Sequence, residues 1–244
     1  MIKIINLYKS FNNKPVLQGI DLEIYDGETI TIMGGSGQGK TVLLKTIVGL
    51  IKPDKGQILI DGIDITRSDK KTLYMLQKKF GYLFQNSSLF DSMNVFENVA
   101  FGLRYLNLSK EEIERRVKMY LSYVNLYNVE NLYPSELSGG MKKRVALARA
   151  IAYNPSYILY DEPTTGLDPQ TAETVTDLII SLQQKLKVTS IIVTHDIKAA
   201  IKVSQRVALL HNGKIVAIEE GKTLLFSKNP FVQEFISAAL INYG

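Results

Sequence analysis

The run Gly34-Gly35-Ser36-Gly37-Gln38-Gly39-Lys40-Thr41 fits the pattern G-x-x-x-x-G-K-[ST], and no other stretch restricts the fold of this chain as tightly. Its glycines let backbone N–H groups approach an anion closely and adopt dihedrals closed to other residues. Such a loop works only between a strand that aims it and a helix whose N-terminus faces the anion. The flanks supply both. Residues 29–33, Thr-Ile-Thr-Ile-Met, read as a strand, and residues 40–50 read as a helix. An α/β core follows, with a nucleoside triphosphate as the expected ligand.

The rest of the chain fits that core. Strands are expected at 1–7, 19–24 and 28–33, with Asp26-Gly27 marking a hairpin turn, and further strands at 56–60 and 80–84. From residue 95 to 152 the pattern turns helical, in segments near 95–105, 109–124 and 138–152. Ser109 followed by Glu112 suggests a capping box. Tyr120, Tyr123 and Tyr127 fall at i, i+3 and i+7 and are expected to pack on one helix face. Strands return at 156–160, 189–193, 206–210 and 214–218, with a helix at 169–186 between the first two. The expectation is therefore an α/β core interrupted by a helical insertion.

Composition narrows the function classes. At 244 residues the chain can bury a substantial core as one large domain or two small ones. No apolar stretch approaches the roughly 18 residues of a membrane span. The start, Met1-Ile2-Lys3-Ile4-Ile5-Asn6-Leu7, lacks a signal peptide's apolar region and reads as a strand, so export is not expected. The absence of cysteine excludes disulfides and thiolate metal sites, which suits a reducing compartment. The net charge of +5 is mild. Its densest basic sets, Arg115-Arg116 with Lys118 and Lys142-Lys143-Arg144, lie on expected helices beside acidic or apolar residues. Nucleic acid is not an expected partner.

The chemistry concentrates at loop ends. Gly34 to Gly39 would cradle phosphates, Lys40 would reach the β- and γ-phosphates, and the Thr41 hydroxyl would ligate Mg²⁺. Val42, where a second hydroxyl would give one more phosphate contact, keeps only the backbone contribution. Tyr157-Ile158-Leu159-Tyr160-Asp161-Glu162 reads as a buried parallel strand ending in two acids. Asp161 would meet Mg²⁺, directly or through water, and Glu162 would polarise the attacking water as general base. Gln85, ending its strand, can ligate the metal or its water and report nucleotide state. His195, after the strand at 189–193, is expected at the γ-phosphate, whereas His211 in the turn His211-Asn212-Gly213 reads as structural. Phe11 is expected to stack on adenine, with Tyr8 as its competitor.

A second glycine sequence, Leu137-Ser138-Gly139-Gly140-Met141, opens a helix and offers N–H groups and a helix dipole to a γ-phosphate. One chain is not expected to use both glycine sequences on one nucleotide, so two subunits would clamp it between them.

Taken together, aromatic, P-loop, Gln85, LSGGM, Tyr160-Asp161-Glu162, Leu167-Asp168 and His195 resemble the nucleotide-binding subunit of ATP-binding cassette (ABC) transporters over nearly the whole chain. The resemblance implies a P-loop NTPase (RecA-like) core, an antiparallel β-subdomain and an inserted helical subdomain. It implies a single domain over 1–244, with 1–85 and 156–244 as the nucleotide-binding core and 86–155 as the helical subdomain. It implies a homodimer that sandwiches ATP and Mg²⁺, held by Lys40 of one chain and Ser138, Gly139 and Gly140 of the other. Asp168 joins the nucleotide-contacting residues on the same ground.

A narrower resemblance lies in Gln85 to Phe101, in Pro134 to Met141 and in the tail Asn229-Pro230-Phe231-Val232-Gln233-Glu234-Phe235. These are similar to the ATPase of Mla-type (maintenance of lipid asymmetry) transporters. Most cassette ATPases carry glutamine where this chain has Met141. That likeness implies an integral membrane permease and a periplasmic Mce-type lipid-binding protein as partners, phospholipid or another hydrophobic molecule as cargo, and a peripheral position on the cytoplasmic side of the inner membrane. Two other readings are a cassette ATPase without transport and a P-loop kinase. The first normally needs two cassettes or a long coiled-coil insertion, and the second leaves Leu137 to Met141 and His195 unexplained.

Overall fold

The computed structural model describes residues 1–241, with side chains through Ser237. In chain order the elements begin β1 (Ile2–Phe11), β2 (Lys14–Ile24), β3 (Thr29–Met33), α1 (Lys40–Ile47), β4 (Lys55–Ile60), β5 (Ile63–Asp64), α2 (Lys70–Gln77) and β6 (Phe80–Leu83). They continue with α3 (Val95–Ala100), α4 (Lys110–Tyr123), α5 (Gly139–Ile151), β7 (Tyr157–Asp161), α6 (Pro169–Leu186), β8 (Thr189–Thr194), α7 (Ile197–Val203), β9 (Arg206–His211), β10 (Lys214–Glu220) and α8 (Pro230–Ile241). The chain gathers into two compact units, residues 1–80 together with those from Thr189 on, and Gly81–Val188.

The first unit holds an antiparallel sheet in the order β2-β1-β4-β5, and strands of a second sheet in the order β10-β9-β3-β8. β1 and β2 form a hairpin in which Ile2 faces Ile24, Ile4 faces Leu22 and Leu7 faces Ile20, all buried. Its turn is Asn12-Asn13, with φ of 48° and 61°; paired positive φ values match the right-handed twist of the strands. Asp26-Gly27 is not a hairpin turn. It carries the chain from β2 into the other sheet, where β3 lies parallel to β8 and β9. Every residue of β3 is buried, so the strand needs a neighbour on each side rather than the edge place a hairpin with β2 would give it.

Three helices of this unit escape a reading by long apolar periodicity, because two are short and one is terminal. α2 is capped by Asp69, whose carboxylate accepts the Thr72 N–H at 2.8 Å, and α7 by Asp196, which accepts the Ala199 N–H at 3.1 Å. α8 starts at Pro230, which suits the first helical position. Ile197 and Ala200 of α7 and Val232 and Ile236 of α8 pack with Met33, Val207 and Leu209 in one buried cluster.

In the second unit β6 and β7 run side by side, and α5 is the helix that α3, α4 and α6 pack around. The helix expected at 95–105 stops at Ala100, and only a single 3₁₀ turn, Leu103–Tyr105, follows Gly102. Ser109 caps α4 by accepting the Glu112 N–H at 3.2 Å, but the Glu112 carboxylate turns to Arg115 and Arg116, so only half of that box forms. A complete box forms instead at Asn94 and Glu97, the start of α3. α4 ends at Tyr123, and Asn125 at φ 54° turns the chain away. Tyr120 and Tyr123 meet edge to face at 5.5 Å, while Tyr127 lies beyond the helix and is exposed.

Candidate active site

In the first unit, the glycine-rich loop leaves β3 at Met33, which is in register with Thr194 of β8 and Leu209 of β9. It therefore emerges at the C-terminal ends of parallel strands, where α/β sheets bind ligands. A Cβ on Gly34 would come within 2.5 Å of the Leu210 carbonyl oxygen, so only glycine fits. Gly37 and Gly39 hold φ of 75° and 97°, and Gly35, Ser36 and Gly37 are exposed. Gln38 anchors the loop by accepting the Asn212 N–H at 2.6 Å.

Lys40 opens α1 and is 7% exposed. Its Nζ donates to the carbonyls of Gly34 at 2.8 Å and Gly35 at 3.1 Å, so the ammonium is held against the loop it would serve. Thr41 and Val42 follow in the first turn, where no acidic side chain opposes an incoming anion. His195 directly follows β8 and is exposed. Phe11 is the last residue of β1, 43% exposed, with the Lys9 ammonium 5.2 Å from its ring centre. Tyr8 lies across Gly19 and is 37% exposed, slightly less than Phe11.

In the second unit, β7 is buried throughout and delivers Asp161 and Glu162 at its end, 2% and 7% exposed. Glu162 has φ 47°, a left-handed conformation that costs a non-glycine residue on the order of 1 kcal/mol. Thr165 Oγ1 donates to Glu162 Oε2 at 3.1 Å, and the Tyr82 hydroxyl donates to Asp161 Oδ2 at 3.2 Å. Burial, and then the Asp161 charge, hold the Tyr82 phenol far above its ordinary range, so it stays a donor. Gln85 is exposed just after β6.

Ser138 caps α5 by accepting the Met141 N–H at 3.3 Å. That leaves the Gly139 and Gly140 N–H groups in the first turn, which has no intrahelical acceptors. A Cβ on Gly140 would stand 2.5 Å from Thr171 Cγ2, so glycine is what lets α5 approach α6. Asp168 caps α6, its carboxylate accepting the Thr171 N–H at 3.0 Å. The structure thus brings Ser138, Gly139, Gly140 and Asp168 together at the starts of two packed helices.

A glycine-rich loop held against its lysine, a buried strand ending in two carboxylates, and a capped glycine helix start are features expected of a nucleotide-hydrolysing protein. The family model described as ABC transporter matches residues 17–165. The chain belongs to this family. The cassette is 42% identical to the methionine import ATP-binding protein MetN of Carboxydothermus hydrogenoformans, over 98% of this chain and 72% of that one. It is 39% identical to the probable ribonucleotide transport ATP-binding protein mkl of Mycobacterium tuberculosis, over 98% and 67%. Among solved structures it resembles the dimeric post-hydrolysis state of the ATP-binding cassette MJ0796 bound to ADP and Pi (TM-score 0.83, 34% identity, 90% of this chain and 98% of that chain). It also resembles cbiO1 of Clostridium perfringens, part of the transporter complex cbiONQ (TM-score 0.84, 30% identity, 96% and 93%). The cassette is the ATP-binding, ATP-hydrolysing subunit of an ABC transporter. No helix among its described residues is long and apolar enough to cross a membrane.

Four residues of the cassette that sequence reasoning missed hold the loops after β6 and β7. Lys143 Nζ donates to the Gln85 carbonyl and, at 3.5 Å, to the Glu162 carbonyl. Desolvation lowers its pKa, and the nearby Asp161 and Glu162 charges oppose that shift. The Arg149 guanidinium donates to the carbonyls of Ser87 and Ser88, both at 2.8 Å, where φ is 60° and 47°. Asn98, fully buried, exchanges hydrogen bonds with both backbone groups of Phe90 and donates to the Met93 and Asn94 carbonyls. Tyr82 is the fourth. For Lys143 a signal existed, since it shares a helix face with Ala146, Leu147 and Ala150, a place where a surface lysine does not belong.

Proposed function

We propose that this cassette drives movement of phospholipid or another hydrophobic molecule between an inner membrane permease and a periplasmic Mce-type protein. Support comes from the sequence around Met141 together with the segment from Gln85 to Phe101, both similar to Mla-type ATPases. In this reading the cassette is one functional domain, lies peripherally on the cytoplasmic side of the membrane, and works as a homodimer. Each ATP is held by Phe11, the loop from Gly34 to Val42 and His195 of one copy, and by Ser138, Gly139 and Gly140 of the other, with Asp168 beside them.

Glu162 takes a proton from the attacking water, and Lys40 leaves the Gly34 and Gly35 carbonyls for the β- and γ-phosphates. Thr41, Gln85 and Asp161 are the residues that would hold Mg²⁺ in this reading. They offer a hydroxyl, an amide and one carboxylate, which suits an ion that takes oxygen ligands and keeps waters and phosphates for the rest. Among the described residues no cluster of three acidic, histidine or cysteine side chains competes for it. When bound, the ion neutralises charge developing on the transferred phosphoryl oxygens.

The permease docks in the groove near Gln85, Leu89, Phe90 and Met93, and the exposed aromatic side chains beside it extend that surface. Phe90 is 40% and Tyr105 67% exposed, and Phe101 links them at 4.6 and 6.0 Å between ring centres. The names of MetN and mkl favour a second reading, in which the cargo is methionine or a ribonucleotide. Purifying the native complex and identifying its subunits and bound small molecules separates the two. Co-purified permease and phospholipid are expected, and Phe90→Ala should reduce permease recovery while leaving ATP-dependent dimerisation intact. A complex carrying methionine or ribonucleotide and no lipid would overturn the lipid reading. Permease recovery unchanged by Phe90→Ala would overturn the docking site.

A further inference from the structure

Lys143 stands one helical turn after Gly139 on α5, and its side chain is only 5% exposed. A buried ammonium needs partners for its protons, because an unsatisfied charge in the interior is costly. Here the partners are backbone carbonyls of Gln85 and Glu162, which lie 58 and 19 residues away in sequence. These two carbonyls belong to the loops that follow β6 and β7, the same loops that present the Gln85 amide and the Glu162 carboxylate. Glu162 also holds its left-handed φ of 47°, a conformation that persists only where the surroundings fix it. Lys143 contributes one such restraint from the carbonyl side and Thr165 another from the carboxylate.

We infer that Lys143 is a positioning residue for ATP hydrolysis, its ammonium fastening the backbones of Gln85 and Glu162 to the helix that begins with Ser138-Gly139-Gly140. The inference rests on the proposed role of Glu162 as general base. When the helix start engages ATP on the other copy, α5 and the base then form one tied assembly, and binding is converted into an aligned base. Without the tie, ATP would still bind and bring two copies together, but Glu162 would sample orientations that do not face the water. A misplacement of about 1 Å at a catalytic group is enough for losses of roughly a hundredfold. The geometry asks for a cation with several N–H donors rather than for bulk.

Lys143→Met keeps the volume and removes the donors, and Lys143→Arg restores a charged donor group. The measurements are kcat, KM for ATP, ATP affinity and ATP-dependent dimerisation of the whole cassette, with Glu162→Gln as the control. In Lys143→Met we expect kcat to fall at least about tenfold while KM, ATP affinity and dimerisation stay within about twofold. Lys143→Arg should recover most of the lost turnover. A Lys143→Met kcat within about twofold of wild type would overturn the inference. So would loss of ATP binding in step with turnover that Arg does not repair, which marks a packing role. If Glu162→Gln itself turns over normally, the reading of Glu162 fails and the inference with it; if Glu162→Gln stalls while Lys143→Met does not, only the Lys143 inference fails.

Discussion

Gly140 and Lys143 sit three residues apart on α5 and show how differently single residues announce themselves. Gly140 needs its missing side chain, since a Cβ would press within 2.5 Å of Thr171 Cγ2. Gly140→Ala should destabilise the cassette by about 1–3 kcal/mol through overpacking, read as a lower denaturant midpoint. An unchanged midpoint would mean that α6 yields at no cost. The glycines of 34–39 and of 139–140 are legible in sequence because they fall in short recognisable runs, even where what excludes a Cβ, the Leu210 carbonyl or Thr171 Cγ2, comes from far along the chain. Lys143 is not legible in that way. Its role depends on two carbonyls brought near by folding, so the apolar face it shares with Ala146, Leu147 and Ala150 can show that it is buried but not what it holds. Glu162 is intermediate: its place at the end of an apolar strand can be read, but its left-handed backbone cannot.

At the scale of elements, the strands and long helices follow from apolar patterning, and the departures have local causes. The first hairpin turns at Asn12-Asn13, whose side chains tolerate positive φ, and not at Asp26-Gly27, because β3 is buried between two parallel neighbours. α2 and α7 are too short for periodicity to reveal, though Asp69 and Asp196 mark their starts. The segment between β6 and α3 has no regular structure and depends on side chains for its shape. The fully buried Asn98 amide accepts the Phe90 N–H through its oxygen and donates through its NH₂ group to the carbonyls of Phe90, Met93 and Asn94. Removing it leaves those groups without partners, so Asn98→Ala should cost about 1–3 kcal/mol and open the stretch around Phe90 to limited proteolysis. A loss below about 0.5 kcal/mol with unchanged cleavage would contradict this.

For the whole molecule, the family is carried by features spread along the chain, which is why the order of short sequences was enough to reach an ATP-binding cassette. The residues proposed to meet nucleotide are divided between the two compact units: Phe11, Gly34 to Val42 and His195 in one, Gln85, Ser138 to Gly140, Asp161, Glu162 and Asp168 in the other. Cargo is not written in these residues, since their proposed role is toward nucleotide, and the proposed docking surface around Phe90 is what bears on the partner. The central claim is that Glu162 hydrolyses ATP clamped in a homodimer. Glu162→Gln tests it most directly, by gel filtration with ATP and Mg²⁺ alongside a turnover assay. The expected result is a stable dimer that binds ATP and hydrolyses it at least about a hundredfold more slowly than wild type. A protein that stays monomeric with ATP and Mg²⁺, or turns over at the wild-type rate, would contradict it.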